Sequence, residues 1–319
     1  MITLDDILSA KKRIHPYGTK TPLLRVAKLD EYLGCKVWFK PESLQRTGAF
    51  KLRGALNKLL SLTEEEKKHG VVCASSGNHG QAVAYAAKLL GINAKVVMPL
   101  DTNPVKKEGV LKFGAKAIMH GMVSSEREAK MREIVEQELS IAVHPFEDDE
   151  VKAGQGTAAL EILEDNPDMD CIVVPIGGGG LISGIATAAK SVKPTIQVVG
   201  VEPAGAPRYG LSRQAGKPVS LDKVDTIADG TRTDKANPRN FPIIEKYVDC
   251  LVTVEEEIIK QAMKLIFSEA KLFVEPSGAL SVAAAMCQKI PCTVNDDVCF
   301  VLSGGNGNLG LFTSIIMNH

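Results

Sequence analysis

At 319 residues, with 45% hydrophobic and 24% charged residues, the chain has an ordinary globular composition and enough length for two cores rather than one small one. Lys+Arg and Asp+Glu balance at 38 each, and five tyrosines, nine phenylalanines and one tryptophan offer little for base stacking, so a nucleic-acid partner is not expected. No window reaches the roughly 18 uninterrupted apolar residues of a membrane span. Seven cysteines, at 35, 73, 171, 250, 287, 292 and 299, form no C-x-x-C pair, which predicts reduced thiols and no zinc.

The first residues lack the basic start and long apolar run of a signal peptide, so a cytoplasmic location is expected. Thr3 and Asp6 instead resemble a capping box opening an amphipathic helix. Val37 to Lys40 reads as a strand closed by Pro41, and from Ala49 the residues Phe50, Leu52, Leu56, Leu59 and Leu60 recur at helical spacing. Val71 to Ala74 is a short apolar strand ahead of an Ala-rich helix from Gln81 to Leu90. Ala94–Met98 precedes a helix near 104–113, and Ala115–Met119 precedes another at 124–139. Cys171–Ile176, Gln197–Val201, Cys250–Thr253 and Val298–Leu302 read as buried strands with helices nearby. Such alternation predicts an α/β fold with parallel or mostly parallel sheets flanked by helices, and too many strands for one sheet predicts two α/β domains. The stretch from about Gly216 to Pro242 reads as a long ordered loop near a site.

Several positions invite a chemical reading beside a structural one. Lys51 falls in a first helical turn, where the dipole disfavours an ammonium and prepares an amine to attack a carbonyl; a surface lysine packed on its helix is the alternative. Ser75-Ser76-Gly77-Asn78-His79-Gly80 links a strand to a helix and suits a carboxylate, or serves only as an N-cap through Ser76 or Asn78. Gly177 to Gly180 precede a helix beginning at Leu181 and suit a phosphate, or simply turn the chain. The Walker and dinucleotide spacings both fail there. Gly305, Gly307 and Gly310 do match a dinucleotide spacing, but no second strand or acidic residue follows, so a nicotinamide oxidoreductase is not supported. Glu275 opens the helix running to about Lys289, where an acidic first turn is itself sufficient.

Four segments together carry a resemblance: Thr47-Gly-Ala-Phe-Lys-Leu-Arg-Gly54, Ser75-Ser-Gly-Asn-His-Gly-Gln-Ala82, Gly177-Gly-Gly-Gly-Leu181 and Ser303-Gly-Gly-Asn306. The chain resembles the fold-type II pyridoxal-phosphate enzymes, the tryptophan synthase β-like group, and within it the serine/threonine dehydratase and serine racemase family. The likeness runs from Thr21-Pro22-Leu23 to Asn306. It implies a large cofactor-binding domain (1–69 and 148–319) and a small one (70–147) that closes over the substrate. Lys51 is expected to hold pyridoxal 5'-phosphate as a Schiff base, with Phe50 against the ring and Asn78 on its phenolic oxygen. Gly177, Gly178, Gly179, Gly180 and the backbone of Leu181 would cup the phosphate, Ser303 would face the pyridine nitrogen, and Glu275 would lie near the ring.

For the substrate, the resemblance implies Ser75, Ser76, Gly77, Asn78 and His79 at the carboxylate, Arg127 closing over it, and the Thr233 hydroxyl close by. Lys51 is the expected base, and Ser76 the opposite-face acid/base of a racemase. The family's divalent-metal site would use Glu202 and Ala206, but Arg208 stands where an aspartate is usual, so no metal is expected. Gly307 and Asn308 also depart from the usual residues after Asn306. No C-terminal regulatory domain is expected, and a homodimer or homotetramer is implied. The activity implied is an ammonia-lyase (dehydratase) acting on L-threonine or L-serine; a serine- or aspartate-type racemase, or a hydroxyaspartate dehydratase, are the alternatives.

Overall fold

The computed structural model describes residues 1–317 apart from Ser76 and Asn103. The chain begins α1 (Leu4–Ile14), β1 (Leu24–Arg25), α2 (Asp30–Leu33), β2 (Lys36–Pro41), α3 (Lys51–Leu60), α4 (Glu64–His69) and β3 (Val71–Ala74). It continues α5 (Asn78–Leu90), β4 (Ala94–Met98), α6 (Pro104–Leu111), β5 (Lys116–Met119), α7 (Ser124–Glu138), β6 (Ile141–Ala142) and α8 (Asp149–Asp165). Then follow β7 (Cys171–Pro175), α9 (Gly180–Val192), β8 (Gln197–Pro203), α10 (Arg208–Ala215), α11 (Phe241–Tyr247) and β9 (Cys250–Val254). The last elements are α12 (Glu256–Ala270), α13 (Pro276–Met286), β10 (Asp297–Leu302) and α14 (Leu309–Met317).

Two sheets result. The larger has the order β1-β2-β10-β7-β8-β9, parallel except for the antiparallel edge pair β1–β2. The smaller, β5-β4-β3-β6, is wholly parallel and uses only residues 71–142 of the chain. Strands such as β7, buried at every position, are apolar throughout because helices cover both faces. The expected strands all form, extended by a residue or two at several ends. The Thr3–Asp6 capping box is present, with both the hydroxyl and the carboxylate engaged. The helix placed at Gln81 starts three residues earlier, at Asn78. The one carried to Lys289 ends at Met286, beyond which Gln288 takes a positive φ. The seven cysteines are all unpaired.

α3 is the hinge between layers, packing on both α8 and α5. Its crossing with α8 is close enough that a Cβ on Gly54 would collide with Gln155. A buried ion network pins the same helix: Arg53 donates to Glu42 (2.8 Å) and Glu161 (2.7 Å), and Lys40 donates to Glu161 at 2.6 Å. Fully satisfied, such a network fixes one arrangement more than it adds stability. Parallel strands bring their carboxyl ends to one edge, and there the loops after β3, β7 and β10 meet the first turn of α3.

Candidate active site

These loops enclose a cavity of about 260 Å³. Phe50, Lys51, Ser75, Gly77, Asn78, His79, Arg127, Thr233, Glu275, Ser303 and all of Gly177 to Leu181 line it, so the structure gathers positions spread over more than 250 residues of chain. Ser76 lies outside the described residues.

Lys51 opens α3. Its Nζ donates to the Pro145 carbonyl at 2.9 Å and stands 5.0 Å from the centre of the Phe50 ring. Burial pulls the amine from the ordinary lysine range down to about 8. Removal from water is therefore the cause, in place of the helix dipole invoked from sequence. A free amine so close to neutrality is a competent nucleophile and base.

The glycine loop is the second feature. The N–H groups of Gly177, Gly178, Gly179, Gly180 and Leu181 donate to no described residue, and Gly179 sits at φ +85° as the residue before α9. Unfilled donors at a helix N-terminus form an anion nest, and the phosphate of pyridoxal phosphate fits that chemistry. A Cβ on Gly178 would collide with the Phe146 ring, so a side chain there is excluded from behind as well.

The turn before α5 is different. Ser75 Oγ accepts from the N–H of Gly77 (3.2 Å) and Gly80 (3.0 Å) and so caps the first turn of α5; of the two caps considered from sequence, Asn78 turns its amide to Glu275, and Ser76 is not among the described residues. The Ser75 hydroxyl proton remains available to a ligand. The Asn78 amide is held away from the helix: Nδ2 donates to Glu275 Oε1 at 2.7 Å, and its oxygen accepts from Asn306 Nδ2 at 2.8 Å. Burial, reinforced by Asp229, raises the Glu275 carboxyl to about 7. His79 Nε2 faces the Val143 carbonyl at 2.8 Å and therefore carries the proton; burial and nearby Lys51 hold the ring neutral, down to about 3. Its Nδ1 has no hydrogen-bond partner among the described residues.

Ser303 is buried, with its hydroxyl 3.4 Å from the Ser277 carbonyl. Thr233 Oγ1 is buried without a partner among the described residues. Arg127 lines the cavity but is tied to its own turn, donating to Met122 O (3.2 Å) and Ser124 Oγ (2.9 Å). The sequence reading placed it over the substrate; here it reaches only the start of α7. Glu202, set aside as a metal ligand, accepts the N–H groups of Tyr209 and Gly210, and the Ala206 carbonyl accepts from Arg208 Nη1.

Residues without a sequence signal complete the wall. Pro145 and Phe146 come from an unpatterned loop, and Lys106 of α6 pairs with Asp229 across the cavity. Part of the irregular stretch 216–242 does reach the site, through residues 229–235 and Asn237.

Known proteins resemble this chain over most of its length. A family model described as pyridoxal-phosphate dependent enzyme matches residues 14–304. The chain is 43% identical over 312 residues to a serine racemase of Arabidopsis thaliana, covering 96% of this chain and 94% of the relative. It is 41% identical over 316 residues to an L-threonine ammonia-lyase of Thermotoga maritima, covering 99% and 78%. The solved structure of maize serine racemase superposes with a TM-score of 0.94 at 39% identity, covering 98% of this chain and 96% of that one.

Proposed function

The chain belongs to the pyridoxal-phosphate dependent enzyme family, and we propose that within it the protein is an ammonia-lyase acting on L-threonine or L-serine. The observation that carries this reading is the meeting, in one cavity, of a lysine amine at about 8 with an unfilled N–H nest and a neutral hydroxyl at Ser303. Lys51 Nζ would be the covalent anchor for the cofactor, the N–H groups from Gly177 to Leu181 would take its phosphate, and Phe50 would pack on its ring. Pyridoxal phosphate, when bound, supplies an electron-accepting ring that stabilises charge developing at the substrate α-carbon.

The chain's own residues do the rest. Ser75 offers its free O–H, and the start of α5 its dipole, to the substrate carboxylate. Thr233 brings an unpartnered hydroxyl to the same cavity. The Lys51 amine is the base that takes the α-hydrogen. Ser303 brings a neutral hydroxyl to the cavity; it would meet the ring nitrogen of the bound cofactor without a carboxylate's charge, which suits elimination better than transamination. Hydrolysis of the product then releases ammonia and a 2-oxo acid. Asn78 is held by Glu275 and Asn306, and would be the residue that meets the phenolic oxygen of the bound cofactor. Closure of the 70–147 segment over the substrate would exclude water, and Arg127 would have to leave its present acceptors to join.

A racemase is the second reading, favoured by the 43% identity to a serine racemase. It would use Lys51 and Ser76 on opposite faces. The deciding experiment is product analysis, with chiral resolution, on L-serine, L-threonine, aspartate and hydroxyaspartate. Keto acid from L-threonine or L-serine, retained in Ser76→Ala, supports the lyase; D-amino acid that disappears in Ser76→Ala, with little keto acid, sinks it.

A further inference from the structure

Arg208, the first residue of α10, has no exposed surface and does not line the cavity, and no step above uses it. All of its donors nonetheless converge on the glycine loop and its surroundings. Nε and Nη2 donate to the Gly177 carbonyl at 3.2 and 2.8 Å, Nη2 also to Ile176 O at 2.7 Å, and Nη1 to Ala206 O at 2.6 Å. Glu202 Oε1 stands 3.7 Å from Nη1. Next to it, Tyr209 Oη (2.9 Å) and Asn240 Nδ2 (2.7 Å) both donate to the Gly178 carbonyl.

The geometry of the peptide unit gives these bonds a consequence. In a trans peptide the C=O of one residue and the N–H of the next point in opposite directions. Holding the carbonyls of Ile176, Gly177 and Gly178 on the Arg208 side therefore turns the N–H groups of Gly177, Gly178 and Gly179 the other way, and these are among the donors left unfilled. A guanidinium stays charged, so a fixed positive charge also stands behind the loop.

We propose that Arg208 is a positioning residue for the anion site: an internal cation that orients the peptide planes of the glycine loop before any ligand arrives. This rests on the loop being the phosphate site of the bound cofactor. Charge-assisted hydrogen bonds of this kind translate into about 10- to 100-fold in affinity.

The test is equilibrium titration of cofactor-stripped protein with pyridoxal phosphate, read by absorbance, with inorganic phosphate as competitor. Arg208→Lys keeps the charge but not the fork, and should bind about 10-fold more weakly; Arg208→Ala should lose about 100-fold, with phosphate competing correspondingly less. Added guanidinium ion should recover part of the loss in Arg208→Ala and none in the unaltered protein. Tyr209→Phe takes one donor from the Gly178 carbonyl and the acceptor from the Asn237 N–H while leaving the Arg208 bonds in place; a loss of a few-fold in a folded protein gives the same answer if Arg208→Ala does not fold. Unchanged pyridoxal-phosphate and phosphate affinity in folded Arg208→Lys and Tyr209→Phe, with only a lower Tm, would overturn the proposal. Failure of the unaltered protein to bind pyridoxal phosphate would instead sink the functional reading beneath it.

Discussion

The turns that open α5 and α9 look alike in sequence, each a glycine-containing link from a buried parallel strand to a helix, yet the structure finishes them oppositely. At α5 the helix is capped from within, because Ser75 Oγ already satisfies the N–H groups of Gly77 and Gly80. At α9 no side chain caps the helix; its donors face the cavity, and its carbonyls are held from behind by Arg208, Tyr209 and Asn240. A satisfied turn keeps its shape alone and lends side chains to a ligand. An unsatisfied one waits for an anion, and needs a scaffold to remain open.

Substitutions can break this contrast, and their expected effects are ranked. Lys51→Ala removes the amine both turns serve, so turnover of every substrate should fall by more than about 1,000-fold, with loss of the yellow colour that borohydride bleaches. Gly178→Ala drives a methyl into Phe146, and such overpacking costs about 1–3 kcal/mol; in titrations, pyridoxal-phosphate affinity should fall along with Tm. Ser75→Ala removes the cap at α5, worth about 1 kcal/mol. Its Tm should drop and KM rise while cofactor affinity holds; an equal loss of cofactor affinity would erase the distinction between the two turns.

Glu275 sharpens the comparison through pH, since it holds the Asn78 end of the α5 turn. Its carboxyl is raised by burial from 4.5 to about 7, so the folded state binds this proton more tightly than the unfolded chain does. The stability it contributes is complete below 4.5 and is lost as pH rises through 7. Denaturant melts of the cofactor-free protein should therefore weaken across that window by up to about 3 kcal/mol more than those of Glu275→Gln. The smallest effect belongs to Lys106→Ala, which cuts a partly exposed ion pair to Asp229, of a type worth about 0–1 kcal/mol. A Tm shift within that range is expected.

Lys51 and the run from Gly177 to Leu181 were legible in the sequence because their chemistry is local: a lysine in a first turn, glycines at a helix start. The strands were legible because burial on both faces leaves apolar runs. What escaped was long-range. The partners that orient the Asn78 amide, Glu275 and Asn306, lie 197 and 228 positions away. Phe146 carries no motif and Arg208 stood out only as a replacement for an aspartate; their places against the glycines arise only when the loop before α8 and the start of α10 pack there. Arg127 was placed by likeness, and its present partners, Met122 and Ser124, lie in the segment that opens its own helix. The cap that Ser75 provides on α5 escaped the sequence, which offered Ser76 or Asn78, because neighbouring polar residues are equivalent to a pattern.

The ion network under α3 bears on how such a protein can change over time. Lys40, Glu42, Arg53 and Glu161 answer one another's charges inside the fold, so losing any one strands the others at a cost of about 3–5 kcal/mol, whereas replacing the whole set with apolar groups can be neutral. Lineages should accordingly inherit or abandon the quartet as a block, and a homologue carrying three of the four would be expected to show a compensating change beside the gap.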